Sequence, residues 1–506
     1  MGTDARHFRR GWAALLAAAL VLCACALGAP RASDARPLAT GLSDPEAAAL
    51  GEQVIFDRVR RAGAQFMRVT AYWHVVAPQA EPDPSSWDPT DPDDPNYNWT
   101  SIDREVTQAT EAGLEPMVQI YNAPRWAERC DDGPDSPCDP DPAKMADFAK
   151  ALATRYDGTD PVLPRVRYWE PQNEPNLSFF FNPQFQNGQP VSPEIYRRLL
   201  NQFAAAVKSV HADNLVVTAG FAPLERPGAS TGPLEFVRRM LCMQGRRNPR
   251  PIPGCTATAR FDILATNPYT TGGPTHQASG PDDVSLGDLP EMTRLLRAAE
   301  RAGKIDSDLH PVPFWITEFG WDSRPPDPGG LAPKILARWT AEAMYRAWTA
   351  GVSNFFWYQI RDDDRSGRPH NETVQSGLYL RGQTPAQDKP KLVLKAFRFP
   401  FVAFGSRRGV RVWGRTPDSA LARVTIEAKD GRRAWRRIGT ARADRDGIFR
   451  KFVRTPLGRK KSVFVRARTP AGLAVPFSLR YVRDFYQPPF GRHARSARIA
   501  AHTEPR

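Results

Sequence analysis

The apolar residues between positions 36 and 400 follow two periods in turn. Stretches with apolar residues three and four positions apart predict amphipathic helices, and short runs rich in β-branched and aromatic residues predict strands. The clearest helix covers residues 192–210, with Ser192 as the expected N-cap and Pro193 in the first turn. Residues 331–350 have the same pattern. One apolar face of the first helix is formed by Tyr196, Leu199, Leu200, Phe203, Val207 and Val210.

The junctions between helices and strands indicate how the two are connected. Amphipathic stretches end in Ala-Gly at Gly63, Gly113, Gly303 and Gly351, and a Gly just past a helix can satisfy its last carbonyls in the left-handed conformation. Helices and strands therefore alternate. The strand-like runs lie around Leu38 and at residues 65–70, 116–121, 166–171, 215–219, 261–267, 313–318 and 353–359.

Eight such strands with intervening helices predict an α/β fold. We expect a closed (β/α)8 TIM barrel over residues 36–403, because the chain has no Gly-rich phosphate turn of the kind found in doubly wound sheets. After residue 404 the pattern changes to short β-rich runs separated by Asp, Gly and Pro. This second pattern predicts an all-β sandwich over residues 404–484, followed by a basic tail at residues 485–506.

Composition and charge support this division. The chain has 506 residues, of which 41% are hydrophobic and 25% charged, so a disordered chain is excluded and two domains are expected. The net charge of +14 is unevenly placed, because residues 405–506 carry 26 Lys and Arg against 7 Asp and Glu. These basic residues are scattered along strands without a recognition motif, so no nucleic-acid partner is expected. An anionic cell-envelope polymer is a candidate partner of this domain, with a merely solvated basic surface as the alternative.

The first residues predict export. Arginines at Arg6, Arg9 and Arg10 precede an apolar run at residues 11–28 that becomes rich in small residues, as in a secretory signal peptide at residues 1–29. We therefore expect a secreted or cell-envelope protein. A retained membrane anchor and lipid modification of Cys25 remain open as alternatives.

Four cysteines follow the predicted signal peptide. An even number in an exported chain indicates disulfide bonds, and local pairs are the simplest arrangement, although four cysteines permit three connectivities. Neither local spacing is of the C-x2-C kind found in zinc sites, and we predict neither a metal nor a cofactor. The cysteines are Cys130, Cys138, Cys242 and Cys255.

Two segments carry most of the chemical signal. Glu174 follows the fourth strand-like run in the sequence YWEPQNEPN, and Glu318 ends the seventh in FWITEFGW. The ends of all strands of a barrel meet at one mouth, so these two carboxyl groups are expected to face each other. Glycoside hydrolysis uses a pair of carboxyl groups that flank the bond to be cleaved. Glu170 lies within the strand, and we assign it a structural role.

These segments resemble the retaining (β/α)8 glycoside hydrolases of clan A, which include the family 5 and family 39 enzymes, over residues 36–400. The resemblance implies that Glu174 is the acid/base, Glu318 the nucleophile and Asn173 a residue that binds a sugar hydroxyl. It also implies that Arg68 lies near the nucleophile and that Trp357 offers a flat surface to a sugar ring.

The sixth strand-like run departs from the clan's pattern. In Thr266-Asn267-Pro268-Tyr269, the residue Tyr269 resembles the tyrosine that bonds the nucleophile, whereas Asn267 stands where the clan often has His. Asn267 can still donate a hydrogen bond to a sugar hydroxyl, but it cannot take up a proton. Several aromatic residues just after strand ends are candidates for sugar stacking, with burial in the core as the alternative. They are Trp73, Tyr121, Trp126, Trp321 and Trp357.

The sequence thus predicts a secreted retaining O-glycosidase whose partner is a carbohydrate substrate. Burial and a negative neighbour are expected to raise the pKa of the acid, Glu174. The alternatives are a carbohydrate-binding protein that has lost catalysis on the same barrel and a cell-envelope protein that acts through its basic domain.

Overall fold

The computed structural model describes residues 36–129 and 137–480. The predicted signal peptide at residues 1–29, Cys25, Cys130 and the basic tail at residues 485–506 lie outside this range. Among the described residues, no helix combines the length and apolar character needed to cross a bilayer.

Eight parallel strands form the first sheet, and their order around it is β6-β7-β8-β1-β2-β3-β4-β5. Bridges from Val217 to Ile263 and from Phe221 to Thr266 join the two ends of this sheet, so it is closed. This closure confirms the predicted (β/α)8 barrel. The strands are β1 (Ala39–Ser43), β2 (Phe66–Tyr72), β3 (Glu115–Tyr121), β4 (Tyr168–Pro171), β5 (Leu215–Val216), β6 (Leu264–Thr266), β7 (Phe314–Ile316) and β8 (Val352–Tyr358).

A helix follows each strand and packs outside the barrel. The turn after α1 shows why Ala-Gly marks these junctions: Gly63 has φ +85° and its N–H donates to the carbonyl of Arg60. The helices are α1 (Gln53–Arg61), α2 (Thr100–Glu111), α3 (Pro142–Arg155), α4 (Ser192–Val210), α5 (Pro233–Met240), α6 (Leu289–Arg301), α7 (Pro333–Thr349) and α8 (Leu392–Arg398).

The helix at residues 192–210 has the predicted bounds, but its N-cap differs. Val191 is the N-cap, and no side chain caps this end. Ser192 lies inside the first turn, where its hydroxyl donates to Oε1 of Gln184 at 3.1 Å. The expectation for Ser192 was wrong because the helix begins at Ser192 itself, where its hydroxyl donates to Gln184 and does not accept from the N–H groups of the first turn.

Side chains inside the barrel change character along each strand. Near the amino ends, Met117, Leu215, Ala265, Trp315 and Phe356 form an apolar plug. On four of these strands the residue two positions further along is polar: Gln119, Asn267, Thr317 and Tyr358. Because alternate residues of a strand face the same side, each of these four inward rows runs from this plug to a polar upper end.

The second domain consists of two antiparallel sheets, in the orders β9-β10-β13 and β12-β11-β14-β15, with β16 paired to β14. This arrangement agrees with the predicted β-sandwich. Its first strand begins at Phe401, so the predicted boundary at residue 404 falls inside it. The strands are β9 (Phe401–Ser406), β10 (Gly409–Arg415), β11 (Arg423–Asp430), β12 (Arg436–Arg442), β13 (Ile448–Arg454), β14 (Val463–Thr469), β15 (Gly472–Leu473) and β16 (Phe477–Ser478).

The sandwich packs against the last helices of the barrel. Trp413 of β10 contacts the rings of Tyr345 and Trp348 on α7, with ring centroids 5.4 and 5.6 Å apart. Arg415 is fully buried, and its Nη2 donates to the carbonyl of Gly63 at 3.3 Å. These contacts make the two domains share one hydrophobic core.

One predicted disulfide is present between Cys242 and Cys255, with Cα atoms 5.9 Å apart. It ties the end of α5 to the loop that follows a short hairpin. Cys138 is buried. Its predicted pairing with Cys130 falls outside the described residues.

Removing this disulfide is expected to lower the stability of the protein. The bridge joins residues 13 positions apart, and closing a loop of this size stabilises a fold by about 3 kcal/mol. The double variant Cys242→Ala/Cys255→Ala should therefore lose about 3 kcal/mol in the free energy of unfolding, measured by chemical denaturation. A reducing agent should destabilise the wild type by more than the variant. An equal response of the two proteins would show that the bridge adds nothing to stability.

Candidate active site

The carboxyl ends of the strands surround a cavity of about 520 Å³. This volume lies within the range of small-molecule sites, and the cavity is at the mouth where barrel enzymes carry out their chemistry. Glu174 and Glu318 both line it. The other residues of the barrel strands and the adjoining turns that line the cavity are Ser43, Pro45, Arg68, Thr70, Tyr72, Gln119, Tyr121, Asn173, Tyr269 and Tyr358.

Arg68 connects the polar groups on the cavity floor. Its Nε donates to Glu170 at 2.7 Å, its Nη2 to Asn173 at 3.0 Å, and its Nη1 to Glu318. Burial works against the charge of Arg68, but the carboxylates of Glu170 and Glu318 outweigh it, and the pKa of Arg68 lies above its usual value. The guanidinium therefore remains a fixed cation beside Glu318.

Glu170 is fully buried and does not line the cavity. Besides Arg68, it accepts a hydrogen bond from the N–H of Gly220 at 3.1 Å. Burial raises its pKa, whereas Arg68 opposes that shift. These contacts agree with the structural role predicted for Glu170, and the structure adds that Glu170 orients Arg68.

Glu318 follows β7, and each of its two carboxyl oxygens accepts a hydrogen bond. Oε1 accepts from Arg68, and Oε2 accepts from the hydroxyl of Tyr269 at 3.1 Å. Burial and the charge of Glu318 raise the pKa of Tyr269, so its hydroxyl stays protonated and continues to donate. A cation and a phenol thus hold the Glu318 carboxylate in one orientation, as a nucleophile requires.

Glu174 has a different environment. Burial, followed by the negative charge of Glu318, raises the pKa of Glu174 to about 8. A hydrogen bond from Nδ2 of Asn267 to Oε1, at 3.0 Å, and the charge of Arg68 act in the opposite direction. Glu174 is therefore protonated at neutral pH, as a general acid must be.

The backbone around Glu174 is strained. Glu174 has φ +39° and Gln172 has φ +72°, values that cost non-Gly residues about 1–3 kcal/mol each. Local bonds hold this turn, because the N–H of Gln172 donates to Ile120 and the carbonyl of Glu174 accepts from Leu177. The turn directs the Glu174 carboxyl into the cavity, and strain of this kind is concentrated at functional sites.

Asn267 positions Glu174 instead of lining the cavity, which corrects its predicted role in substrate binding. Asn267 is fully buried, and its Oδ1 accepts from the hydroxyl of Thr317 at 2.9 Å, so its Nδ2 faces Glu174. The close approach depends on Gly220, where a Cβ would lie 2.2 Å from Oδ1 of Asn267.

Trp73 and Trp357 do not contact the cavity, so the predictions that they bind substrate were wrong. Trp73 is 1% exposed and stacks on Phe148 of α3. Trp357 is completely buried, with its Nε1 donating to the carbonyl of Ser376 at 2.8 Å. The reason is the alternation of the strand: Phe356 and Tyr358 face the interior, so the intervening Trp357 faces the helices.

The aromatic wall of the cavity comes from other residues. Tyr72 and Tyr121 lie with ring centroids 5.8 Å apart, and Tyr121 lies 5.8 Å from Phe180. Phe179 is 71% exposed at the rim. Of these, only Tyr121 was among the sequence candidates. The run of three phenylalanines five residues after Glu174 is a signal that could have identified this wall.

No cluster of three or more His, Cys, Asp or Glu side chains suited to a metal occurs in the described ranges.

No family model and no curated protein matches the sequence. Among solved structures, the chain is similar to a glucosidase from Croceicoccus marinus, with 15% identity over 85% of this chain and 94% of that one, at a TM-score of 0.46.

Two further solved structures are similar. One is a GH30 endoxylanase from Clostridium papyrosolvens, with 11% identity, 86% and 97% coverage of this and that chain, and a TM-score of 0.45. The other is a fungal β-1,4-galactanase, with 14% identity, 71% and 99% coverage, and a TM-score of 0.43.

Proposed function

We propose that this protein is a retaining glycoside hydrolase that cleaves O-glycosidic bonds of a polysaccharide or oligosaccharide. One observation carries the proposal: Glu174 and Glu318 line the same cavity in opposite environments. Arg68 and Tyr269 donate hydrogen bonds to the two carboxyl oxygens of Glu318, whereas Glu174 has a raised pKa and keeps its proton. An oriented nucleophile and a protonated acid are the two groups that double displacement requires.

In the first step, an oxygen of Glu318 attacks the anomeric carbon. The bond from that carbon to the leaving oxygen breaks while Glu174 transfers its proton to that oxygen. A neutral ester to Glu318 replaces the carboxylate. Since the charge of Glu318 contributes to the raised pKa of Glu174, forming the ester lowers that pKa and prepares Glu174 to act as a base.

In the second step, Glu174 takes a proton from water. The water oxygen attacks the anomeric carbon, and the bond to Glu318 breaks. Glu318 is then again a carboxylate and Glu174 again a protonated acid, so the enzyme returns to its starting state with the anomeric configuration retained. The aromatic wall formed by Tyr72, Tyr121 and Phe180 supports sugar rings as the ligand.

We place this activity outside the cytoplasm. The predicted signal peptide supports export, and the bridge between Cys242 and Cys255 is typical of proteins in oxidising compartments.

The proposal is tested by incubating the full chain with a panel of glycans and measuring the release of reducing ends. We expect at least one glycan to be cleaved. The NMR spectrum should show that the first product formed has the same anomeric configuration as the substrate. Initial formation of the opposite anomer would contradict double displacement. Binding of glycans without cleavage would favour a carbohydrate-binding protein on the same barrel.

The dependence of kcat/KM on pH is expected to show an alkaline limb near pH 8, determined by the interacting carboxyl pair. Below this pH Glu174 holds the proton that the leaving group needs, and activity falls as rising pH removes it. Asn267→Ala deletes the hydrogen bond that favours the charged form of Glu174, so this variant should raise its pKa and move the limb to higher pH.

The control for Asn267→Ala is Thr317→Val, which removes a hydrogen bond to Asn267 but leaves the donor that faces Glu174. It should move the alkaline limb less than Asn267→Ala does. A limb that stays in place in Asn267→Ala, or that persists in Glu174→Gln, would show that a different group determines it.

A further inference from the structure

The sandwich domain has a sheet surface with an unusual charge. In β11, Val424, Ile426 and Ala428 are buried between the sheets. The alternate residues of β11 and their partners on β12 and β14 therefore point to the other side, which we call the outer face. It consists of Arg423, Thr425, Glu427 and Lys429 of β11, Arg437, Thr440 and Arg442 of β12, and Phe464, Arg466 and Arg468 of β14.

This outer face carries six cations and a single acid. Glu427 lies at its centre and is shared by Arg466 and Arg468, at 2.8 and 2.5 Å. The remaining arginines, Arg423, Arg437 and Arg442, are exposed. Within the described residues, no carboxylate forms an ion pair with these three. The face therefore keeps a net positive charge that the described part of the chain does not neutralise.

The strand register makes this charge costly. Arg423 lies directly opposite Arg442 on the neighbouring strand, and like charges in that position destabilise a sheet. The next outward pair, Thr425 and Thr440, is neutral and brings no compensating acid. Folding does not require two facing arginines at an exposed position, so their arrangement points to a ligand that supplies the missing negative charge.

Aromatic rings accompany the cations. The guanidinium of Arg466 lies 4.0 Å from the ring centre of Trp435, and Nζ of Lys429 lies 5.1 Å from it. Lys429 also lies 5.6 Å from the ring of Phe464. Trp435 and Phe464 are only half-buried. Rings of this kind offer an apolar surface next to positive charge, which fits a sugar ring that bears an anionic group.

The outer face spans three neighbouring strands of one sheet. Alternate residues of a strand are about 7 Å apart and neighbouring strands about 5 Å apart, so the cations are spread over the sheet surface and form an extended array. Such an array matches a polymer with repeated charges better than a single small anion, which would need converging donors.

We propose that the outer face binds an anionic polysaccharide, that is, a sugar chain bearing carboxylate or phosphate groups. Sugar is favoured over nucleic acid or lipid because the partly exposed rings lie among the cations, and this choice of ligand also rests on the function proposed for the barrel cavity. This binding does not depend on the proposed catalysis, because the outer face and the barrel cavity share no residue.

The test compares two charge-matched double variants of the full chain by titration calorimetry. Arg423→Gln/Arg442→Gln removes the facing pair, and Arg407→Gln/Arg408→Gln removes two exposed arginines from the turn between β9 and β10. The probes are polygalacturonate for carboxylates, dextran phosphate for phosphates, and uncharged dextran. We expect the first double variant to bind at least one charged polymer about 10-fold more weakly, while the second retains most of its affinity.

Thermal unfolding supplies an independent readout. Because the substitutions relieve repulsion between like charges, Arg423→Gln/Arg442→Gln should unfold at the same temperature as the wild type or above it, so weaker binding cannot be attributed to misfolding. Equal losses of affinity in both double variants would show that binding depends only on the net charge of the protein, and this would overturn the proposal. Tighter binding of duplex DNA or of phosphatidylglycerol vesicles than of either charged polymer would also overturn it.

Discussion

Replacing Glu318 with alanine is expected to lower kcat by on the order of 10⁶-fold, the loss that follows removal of a nucleophile. The neighbouring Glu170 cannot take its place, because it is completely buried and engaged with Arg68. The measurement is the turnover of an activated aryl glycoside. Glu194→Ala, on the exposed side of α4, serves as the control and should leave kcat unchanged.

Two further measurements separate a covalent role of Glu318 from a structural one. Tyr269→Phe removes one hydrogen bond to the carboxylate but keeps the nucleophile, so it should cost far less than Glu318→Ala. With a slow substrate, mass spectrometry of the wild type should show one sugar unit attached to the peptide that contains Glu318. A sugar attached to Glu174 instead would reverse the proposed roles.

Glu174→Ala is expected to lower kcat/KM by about 10²- to 10⁴-fold on substrates with poor leaving groups, because those need a proton in the first step. Activated aryl glycosides do not, so their first step should be nearly unaffected, and the enzyme should accumulate as the glycosyl intermediate. Hydrolysis of that intermediate then limits turnover, since no base activates the water.

The configuration of the product formed with sodium azide distinguishes this variant from Glu318→Ala. A small anion needs no base, so azide should attack the intermediate of Glu174→Ala, restore its turnover and give a glycosyl azide of retained configuration. Azide products of retained configuration from Glu318→Ala, together with products of inverted configuration from Glu174→Ala, would exchange the assignments of the two carboxyls. The absence of rescue in both variants would contradict the double-displacement proposal.

Much of the architecture follows from local patterns. The Ala-Gly junctions at Gly63 and Gly113 and the periodicity of residues 192–210 depend only on neighbours along the chain, and the structure has helix ends and a helix at those positions. The pairing of Cys242 with Cys255 was also accessible, because the two residues are close in sequence. These features require no knowledge of distant contacts.

The candidate site was only partly accessible. Glu174, Glu318, Arg68, Asn173 and Tyr269 were identified from strand ends and from the resemblance to clan A, and they surround one cavity in the structure. Trp73 and Trp357 were misassigned because a sequence pattern shows where a strand ends but not which of two successive residues faces inwards. That choice depends on how all eight strands tilt and close into the barrel.

The sequence by itself determined which residues can carry the chemistry, namely two glutamates at strand ends, an arginine and a tyrosine. It also determined that the positive charge is concentrated in the second domain. Only the tertiary structure decided what each of them does. The raised pKa of Glu174, the three contacts of Arg68 and the opposition of Arg423 to Arg442 all join residues that are far apart in the chain or on separate strands. Burial and electrostatic coupling depend on distance in space, and that distance is established only when the barrel closes and the sheets pair.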